Sequence, residues 1–261
     1  MIVDSLQTWH KFLKAMGRND VLPRLEHSHT PSAIAKRLGH GPHVSYLRDW
    51  VYGGIDGTVT TFAIMAGVVG ADLSATVVVV LGLANLLADG FSMAAGNYTG
   101  TKAERDEYDQ LRRMEERHID IAPEGEREEI RQIFRAKGFE GEELETAVNV
   151  ITKHRESWID TMMTEEHGMP AAARSPIHAA LYTFAAFVLC GTVPLLPYLL
   201  GFASPERWSA TMTALTFFGI GSVRSRWSTK PWWHAGAETL IIGLLAASVA
   251  YVIGYWLKGL V

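Results

Sequence analysis

The stretch SPIHAALYTFAAFVLCGTVPLLPYLLGFASP, residues 175–205, runs for 31 residues without a Lys, Arg, Asp or Glu. A soluble core rarely needs such a run, whereas a helix that crosses a bilayer needs about 20 consecutive apolar residues. The stretch therefore predicts a transmembrane helix within 176–200. Comparable apolar stretches predict four more spans, at 50–71, 74–98, 208–223 and 237–257. The predicted fold class is an all-α integral membrane protein with five transmembrane helices.

Charge is segregated along the chain, although the mean hydropathy of +0.07 is ordinary for a soluble protein. Residues 99–174 hold 19 of the 28 Asp and Glu residues. The helical period persists beyond residue 98, so the second span is expected to continue as one long helix into a soluble, glutamate-rich insert. Pro123, Gly138 and Gly141 divide this insert into three predicted helices, near 99–121, 124–137 and 141–167. The predicted domains are a polar N-terminal segment (1–45), spans one and two (46–98), the insert (99–174) and spans three to five (175–261).

Basic residues indicate which segments face the cytosol. The loop between the fourth and fifth predicted spans carries three cations and no acid, and three more cations precede the first span: Arg224, Arg226, Lys230, Lys36, Arg37 and Arg48. Because cytosolic loops are enriched in Lys and Arg, the N-terminus and the insert are predicted to be cytosolic and the C-terminus to lie across the membrane. The N-terminus lacks the apolar core of a secretory signal, so the first span is expected to direct insertion. Both a bacterial inner membrane and a vacuolar-type membrane fit.

Composition also limits the partners. A net charge of −4, with no basic patch interleaved with aromatics, argues against a nucleic-acid partner. Cys190 is the only cysteine and lies in an apolar run, which excludes an internal disulfide.

Between Leu6 and Met16 the spacing of apolar residues predicts a short amphipathic helix on the membrane surface. Four histidines between residues 27 and 43 are either metal-gathering or scattered surface residues: His27, His29, His40 and His43.

Polar residues inside the first two spans are candidates for a transport path. A carboxylate as deep as Asp56 costs roughly 2.5–3.5 kcal/mol on insertion scales, so it usually faces a cavity or a partner. Asn85, Asp89 and Met93 share one face of the second span, and Asn97 extends that face by one turn. Carboxylates suit hard cations and thioethers suit softer ones, so the combination suggests a path for a divalent first-row metal. Alternatively, Asp89 hydrogen-bonds a neighbouring helix and Met93 fills the core.

The insert contains carboxylates at the i, i+3 spacing that places two side chains on one helix face. Glu104 with Glu107 and Glu126 with Glu129 are such pairs, and Glu115 with His118 adds an imidazole. Met162 and Met163 stand one turn before Glu166 at the end of the third predicted helix. Convergence of these groups could hold several divalent ions. The alternative is a solvated bundle whose acids pair with its arginines: Arg112, Arg113, Arg127, Arg131 and Arg135.

Three motifs closely resemble the vacuolar iron transporter family. They are YGGIDGTVTTFAIMAGVVGA at 52–71, LGLANLLADGFSMAAGNYTGTKAERDE at 81–107 and WIDTMMTEEHGM at 158–169, and the likeness extends from residue 46 to about 257. The resemblance implies a homodimer with five spans per subunit that carries ferrous iron, and often manganese, out of the cytosol in exchange for protons. The implied path lies at the dimer interface, between the first two spans. Metal is then a transported substrate, with no permanently bound cofactor.

The resemblance also assigns residues. It matches the family's aspartate in the first span to Asp56 and its methionine in the second to Met93. The family's cytosolic metal-binding glutamates match Glu115, Glu126, Glu129 and Glu166, with Met162 and Met163 beside the last. His118 stands where a glutamate is expected, and Asn85 stands where some members carry an acid. Whether Asp89 replaces that acid is open.

Two other functions fit parts of the pattern. A ferritin-like di-iron oxidase would need the E-x-x-H element of Glu115 and His118 twice, on separate helices. The only other match, Glu26 to His29, lies in a loop-like stretch beside Pro31. A membrane-anchored metal sensor or storage module would need the insert but not Asp56, Asp89 and Met93. A membrane transporter, which is not an enzyme, is the predicted function.

Overall fold

The computed structural model describes residues 28–39, 44–169 and 174–259, and the chain divides into two compact units, 1–43 and 44–261. In the first unit the described part holds one helix, α1 (Pro31–Gly39). The predicted surface helix between Leu6 and Met16 lies outside the described residues, as do three of the four histidines, His27, His40 and His43.

The described part of the second unit is helical throughout, with no strand. Its helices are α2 (Leu47–Gly70), α3 (Ala75–Ile121), α4 (Pro123–Ala136), α5 (Gly141–Thr152), α6 (Arg155–Glu165), α7 (Pro176–Thr192), α8 (Leu196–Leu199), α9 (Pro205–Arg224) and α10 (Trp232–Leu257). Four of the described segments are long and apolar enough to cross a membrane: Leu47–Gly70, Ala75–Ile121, Pro176–Leu199 and Trp232–Leu257. As candidate spans, they coincide with the predicted first, second, third and fifth spans.

The predicted fourth span corresponds to α9, which is less apolar than the other four. Its 20 residues include Glu206 and Arg207 in the first turn and Arg224 in the last. The helix nevertheless packs against α2 and α10. Its polar residues Ser209 and Thr213 are fully buried on the protein side, and the Ser209 hydroxyl donates to the Pro194 carbonyl at 2.6 Å. The number of five spans therefore stays a prediction.

Close backbone contact joins α2 to α7. A Cβ added at Gly53 would lie 2.4 Å from the Thr183 carbonyl oxygen, and one added at Gly57 would lie 2.3 Å from the Phe187 carbonyl oxygen. Only glycine allows the two helices to approach this closely, as in other membrane helix pairs with small residues at the contact. The glycines around Asp56 thus serve helix packing, and α2 continues through them without unwinding.

The second span continues into the insert as predicted, because α3 is a single helix of 47 residues. The predicted helix over 141–167 is wrong, since the chain breaks between α5 and α6 at Lys153 and His154, where His154 is extended. The break turns α6 back against α3 and α4. It thereby buries the apolar residues of all four helices in one cluster: Ile119, Ile130, Leu144, Val148, Trp158, Ile159, Met162 and Met163.

Candidate metal site

Three helices of the insert bring acids and imidazoles together at one place. Glu115 and His118 lie on α3, Glu126 lies on α4, and Glu166 and His167 follow the end of α6. The chain after α6 is held by its own backbone, because the amides of Glu166 and His167 both donate to the Met162 carbonyl, at 2.9 and 3.4 Å. This turn directs the two residues that follow α6 towards α3.

The side chains form two groups that share Glu115. One group is Glu115 with His118 and Glu126, and the other is Glu115 with Glu166 and His167. Within each group, one ligand atom from every residue lies within 4.8 Å of the others. Since carboxylates commonly bridge ions, Glu115 is placed to serve both groups at once.

The shortest contacts pair each imidazole with a carboxylate. His167 Nε2 lies 2.9 Å from Glu115 Oε1, and His118 Nδ1 lies 3.3 Å from Glu126 Oε1. Glu166 Oε2 is more distant from His167 Nε2, at 4.0 Å, and its side chain is partly exposed. The site therefore has a buried side at Glu115 and Glu126 and an open side at Glu166.

Two carboxylate oxygens in this cluster are buried without a hydrogen-bond partner. They are Glu115 Oε2 and Glu126 Oε2, and their residues are only 1% and 5% exposed. A buried acceptor left unpaired costs about 1–3 kcal/mol, and more when it is charged. A bound cation would satisfy both oxygens, which is a stronger indication of a metal site than acidic residues alone.

The electrostatics agree with a cation site. Burial, and then repulsion from Glu129 and Glu115, raise the pKa of Glu126 to about 7. Burial also raises the pKa of Glu129, together with repulsion from Glu166 and Glu115 and against a smaller opposing effect of His118 and His167. The cluster thus holds more negative charge than its surroundings stabilise, and a divalent ion would relieve the repulsion.

The other predicted carboxylates of the insert belong to neither group. Glu129 is exposed and belongs to neither group, although its charge acts on Glu126. Glu104 and Glu107 are exposed on α3 and also lie outside both groups. Met162 and Met163 lie fully buried in the apolar cluster of the insert, at 0% and 1% exposure. Their backbone carbonyls hold the turn after α6, and their role as metal ligands stays a prediction.

The alternative of surface ion pairs holds for other acids of the insert. Arg112 pairs with Glu116, Glu156 and Asp160, and Arg131 pairs with Glu128 and Glu145. These acids are exposed or half-buried and lie in neither group. The ion-pair interpretation therefore applies to these carboxylates, and metal binding by the cluster around Glu115 stays a prediction.

Sequence reasoning missed His167. The signal was present in WIDTMMTEEHGM, where His167 directly follows Glu166. Helical spacing, however, predicts the direction of a side chain only within a helix, and His167 lies beyond the end of α6. Only the turn after α6 places the imidazole against Glu115.

In the predicted spans, the carboxylates of Asp56 on α2 and Asp89 on α3 interact electrostatically. Met93 and Asn97 line an open cleft of about 750 Å³, together with Asp49. The amide nitrogen Nδ2 of Asn85 is buried without a hydrogen-bond partner. Met93 and Asn97 thus lie on the wall of one cleft. The transport path through Asp56, Asn85, Asp89, Met93 and Asn97 stays a prediction.

Asn97 joins three helices rather than only lining the cleft. Its Nδ2 donates to Asp49 Oδ1 at 2.8 Å, to Thr183 Oγ1 at 2.7 Å and to the Ala179 carbonyl at 3.2 Å. Asp49 is itself buried and forms an ion pair with Arg174. Sequence reasoning missed Asp49, although an acid in the first turn of a span is a recognisable signal.

Known proteins match most of this chain. Residues 47–255 match the VIT family. A vacuolar iron transporter of Toxoplasma gondii is 32% identical over 225 residues, which cover 82% of this chain and 74% of the relative. One from Centaurea cyanus is 33% identical, covering 78% and 85%, and vacuolar iron transporter 1 of Arabidopsis thaliana is 31% identical, covering 78% and 83%.

The family match covers most of the chain, including α2, α3, the insert and the later spans. The names of the relatives agree with the prediction of a membrane transporter rather than an enzyme. With four helices able to cross a membrane, the chain is a multi-pass membrane protein. It belongs to the VIT family.

Proposed function

We propose that the protein carries divalent transition metals, Fe²⁺ and also Mn²⁺, out of the cytosol in exchange for protons. The observation that carries the proposal is the pair of interacting carboxylates, Asp56 and Asp89, on two helices long enough to span a membrane. Ionisable residues at such depth are costly and mark ion or proton pathways. The relatives' name, vacuolar iron transporter, supports iron as the substrate.

The insert supplies the capture step in this proposal. Glu115, Glu126 and the two imidazoles collect the metal on the cytosolic side, and their oxygens that lack partners receive it. Metal then enters the cleft lined by Met93 and Asn97 and passes the pair Asp56 and Asp89.

Protons are linked to metal because a carboxylate must be deprotonated to bind it. On the far side, protons that return down their gradient protonate Asp56 and Asp89 and release the ion. Asn85 lies on the same face of α3 as Asp89, and its amide nitrogen is buried without a hydrogen-bond partner. It would therefore contribute a neutral polar group to the transport path.

The proposed assembly is a homodimer with α2, α3, α7 with α8, α9 and α10 as the five spans of each subunit. The resemblance to the family implies this dimer. An apolar face of α3 fits it, because Leu83, Leu87 and Phe91 are 38%, 59% and 70% exposed on the single chain. The same residues would face lipid in a monomer, so the oligomeric state needs its own measurement by mass photometry or cross-linking in bilayers.

The transport proposal is tested with purified protein in liposomes. Uptake of Fe²⁺ under anaerobic conditions, and of Mn²⁺, is followed with an outward or collapsed proton gradient, with Asp56→Ala as the control. Uptake that needs both the gradient and Asp56 supports metal–proton exchange. Uptake that is the same with and without the proton gradient would contradict metal–proton exchange. Uptake by Asp56→Ala at the wild-type rate would contradict a transport path through Asp56.

A metal sensor or storage module is the second candidate, and it is favoured by the metal cluster alone. It predicts metal binding by the full chain without uptake into liposomes. The oxidase candidate would need a second E-x-x-H element, whose proposed Glu26 lies outside the described residues. Absence of ferrous oxidation by the purified protein would remove it.

A further inference from the structure

His167 is fixed in place by the way α6 ends. Gly168 takes the left-handed conformation, with φ of +67°, and the amide of Met169 donates to the Met163 carbonyl at 2.8 Å. This closure resembles the common glycine-based end of a helix, and Met169 packs against the apolar cluster as such ends require. The imidazole is therefore held against Glu115 rather than free to sample solvent, and its side chain is only 15% exposed.

The spacing of His167 and Glu115 matches two neighbouring ligands of one ion. Nitrogen and oxygen ligands of first-row metals lie at about 2.1 Å, so two ligands at a right angle are about 3 Å apart. His167 Nε2 and Glu115 Oε1 are 2.9 Å apart. Glu115 Oε2 is buried and lacks a hydrogen-bond partner, so the pair has both the spacing and a spare oxygen atom that a metal ion would need.

Each of the two groups that share Glu115 contains one imidazole. His118 belongs to the first group and His167 to the second. Sites with only oxygen ligands suit Mg²⁺, Ca²⁺ and Mn²⁺, whereas imidazole favours Fe²⁺, Ni²⁺, Cu²⁺ and Zn²⁺. An imidazole in each group thus shifts both positions away from Mn²⁺.

We propose that His167 is a direct metal ligand that completes the group of Glu115 and Glu166 and makes the insert select Fe²⁺ over Mn²⁺. This inference rests on the proposed role of the insert in metal capture. It adds a ligand and a preference to that role. The competing role for His167 is purely positional, in which its hydrogen bond only orients Glu115.

Affinity measurements on the full chain in detergent test the preference. Calorimetric titrations with Fe²⁺ under anaerobic conditions and with Mn²⁺ compare wild type with His167→Gln, which keeps a hydrogen-bond donor near Glu115. Removal of a group that merely supports a ligand costs roughly 10- to 100-fold in metal affinity, so loss of a ligand should cost at least about ten-fold for Fe²⁺. The loss for Mn²⁺ should be several-fold smaller. The matched control, His154→Gln, changes an exposed imidazole of the same bundle and should alter neither affinity.

Pulsed electron paramagnetic resonance of the Mn²⁺-loaded protein tests ligation directly, because it detects the nitrogen of a coordinated imidazole. We expect nitrogen coupling in His118→Gln that disappears when His167→Gln is added. Loss of all coupling in His118→Gln alone would overturn the proposal. Equal losses of Fe²⁺ and Mn²⁺ affinity in His167→Gln would overturn the preference. Failure of liposome uptake with these binding results intact would remove only the transport function.

Discussion

Glu126 should make the metal-free insert less stable as pH rises. Burial and the neighbouring carboxylates raise its pKa from 4.5 to about 7. In the folded state the group therefore holds its proton at pH values where the unfolded chain has lost it. By linkage, the contribution of Glu126 to stability is fully present below about pH 4.5, falls as pH rises and is lost above about pH 7.

The size of the effect follows from the same values. A rise from 4.5 to about 7 corresponds to about 3 kcal/mol, at about 1.4 kcal/mol for each pKa unit. This is the most that the Glu126 carboxyl group contributes, and it equals roughly a 300-fold change in the equilibrium for opening the insert. Glu126→Gln is neutral at every pH and should abolish this part of the pH dependence. It should also stabilise the metal-free protein at pH 8 while weakening metal binding.

Hydrogen exchange of the full chain in lipid nanodiscs measures this locally, because amides of α4 report the opening free energy of the insert. Exchange rates, corrected for the chemical rate at each pH, are compared between pH 5 and pH 8 with a chelator present. The matched control is Glu128→Gln on the same helix, where Arg131 and Gln132 lower the pKa of an exposed carboxylate. Removal of that group should leave the destabilisation at high pH in place.

An unchanged pH slope in Glu126→Gln would refute the reasoning, since no other residue was altered. A slope of the opposite sign in wild type would also refute it. Addition of metal at pH 8 should restore protection, because the ion replaces the proton on the same oxygens and stabilises by about 2.7 kcal/mol at one hundred times its Kd.

Three further changes have defined outcomes. Gly57→Ala should lower the thermal transition of the detergent-solubilised protein, because its Cβ meets backbone of α7 and such overpacking costs about 1–3 kcal/mol, whereas Gly96→Ala, with nothing within 4 Å, should not. Asn97→Leu should destabilise the same transition by about 1–3 kcal/mol, since it leaves buried acceptors on α2 and α7 unpaired. Glu115→Gln should reduce the number of Fe²⁺ ions bound at saturation, by calorimetry, more than Glu104→Gln, because only Glu115 is shared by both groups.

Each of these outcomes can fail in a distinct way. Equal thermal transition temperatures for Gly57→Ala and Gly96→Ala would mean that α2 and α7 can move apart without a loss of stability. A stable Asn97→Leu variant with normal uptake would show that Asp49 is satisfied by Arg174 alone. Equal numbers of bound Fe²⁺ ions in Glu115→Gln and Glu104→Gln would mean that the metal binds outside the cluster.

The spans were predictable because hydropathy and helical period are local properties. The same holds for the length of α3, whose period continues through a change from apolar to charged residues. α9 shows where the measure weakens. Its polar residues Ser209 and Thr213 are buried against other helices, and a measure of composition alone does not take that burial into account.

The cluster of the candidate metal site was predictable only in part, because spacing along a helix does not say which face meets another helix. Glu104 with Glu107 has the same spacing as Glu126 with Glu129, yet only Glu126 is buried. The difference is that α4 and the end of α6 pack where Glu115 lies on α3, about two turns beyond Glu107. The break before α6 decides this packing, and no proline or glycine marks it in the sequence.

One helix connects the two parts of the proposed transport route, and its length constrains how they cooperate. Glu115 and Met93 both lie on α3, 22 residues apart, which is about 33 Å at 1.5 Å per residue. An ion held at Glu115 therefore cannot touch the cleft at Met93, and it must leave the cluster before it enters the membrane. A capture site of very high affinity would then slow transport, since release would limit the rate. The raised pKa of Glu126 opposes such tight binding, because protons compete with the ion near neutral pH. In the proposed route, repulsion between the carboxylates of the metal-free cluster thus favours protonation, and competing protons weaken metal binding enough for the ion to be released.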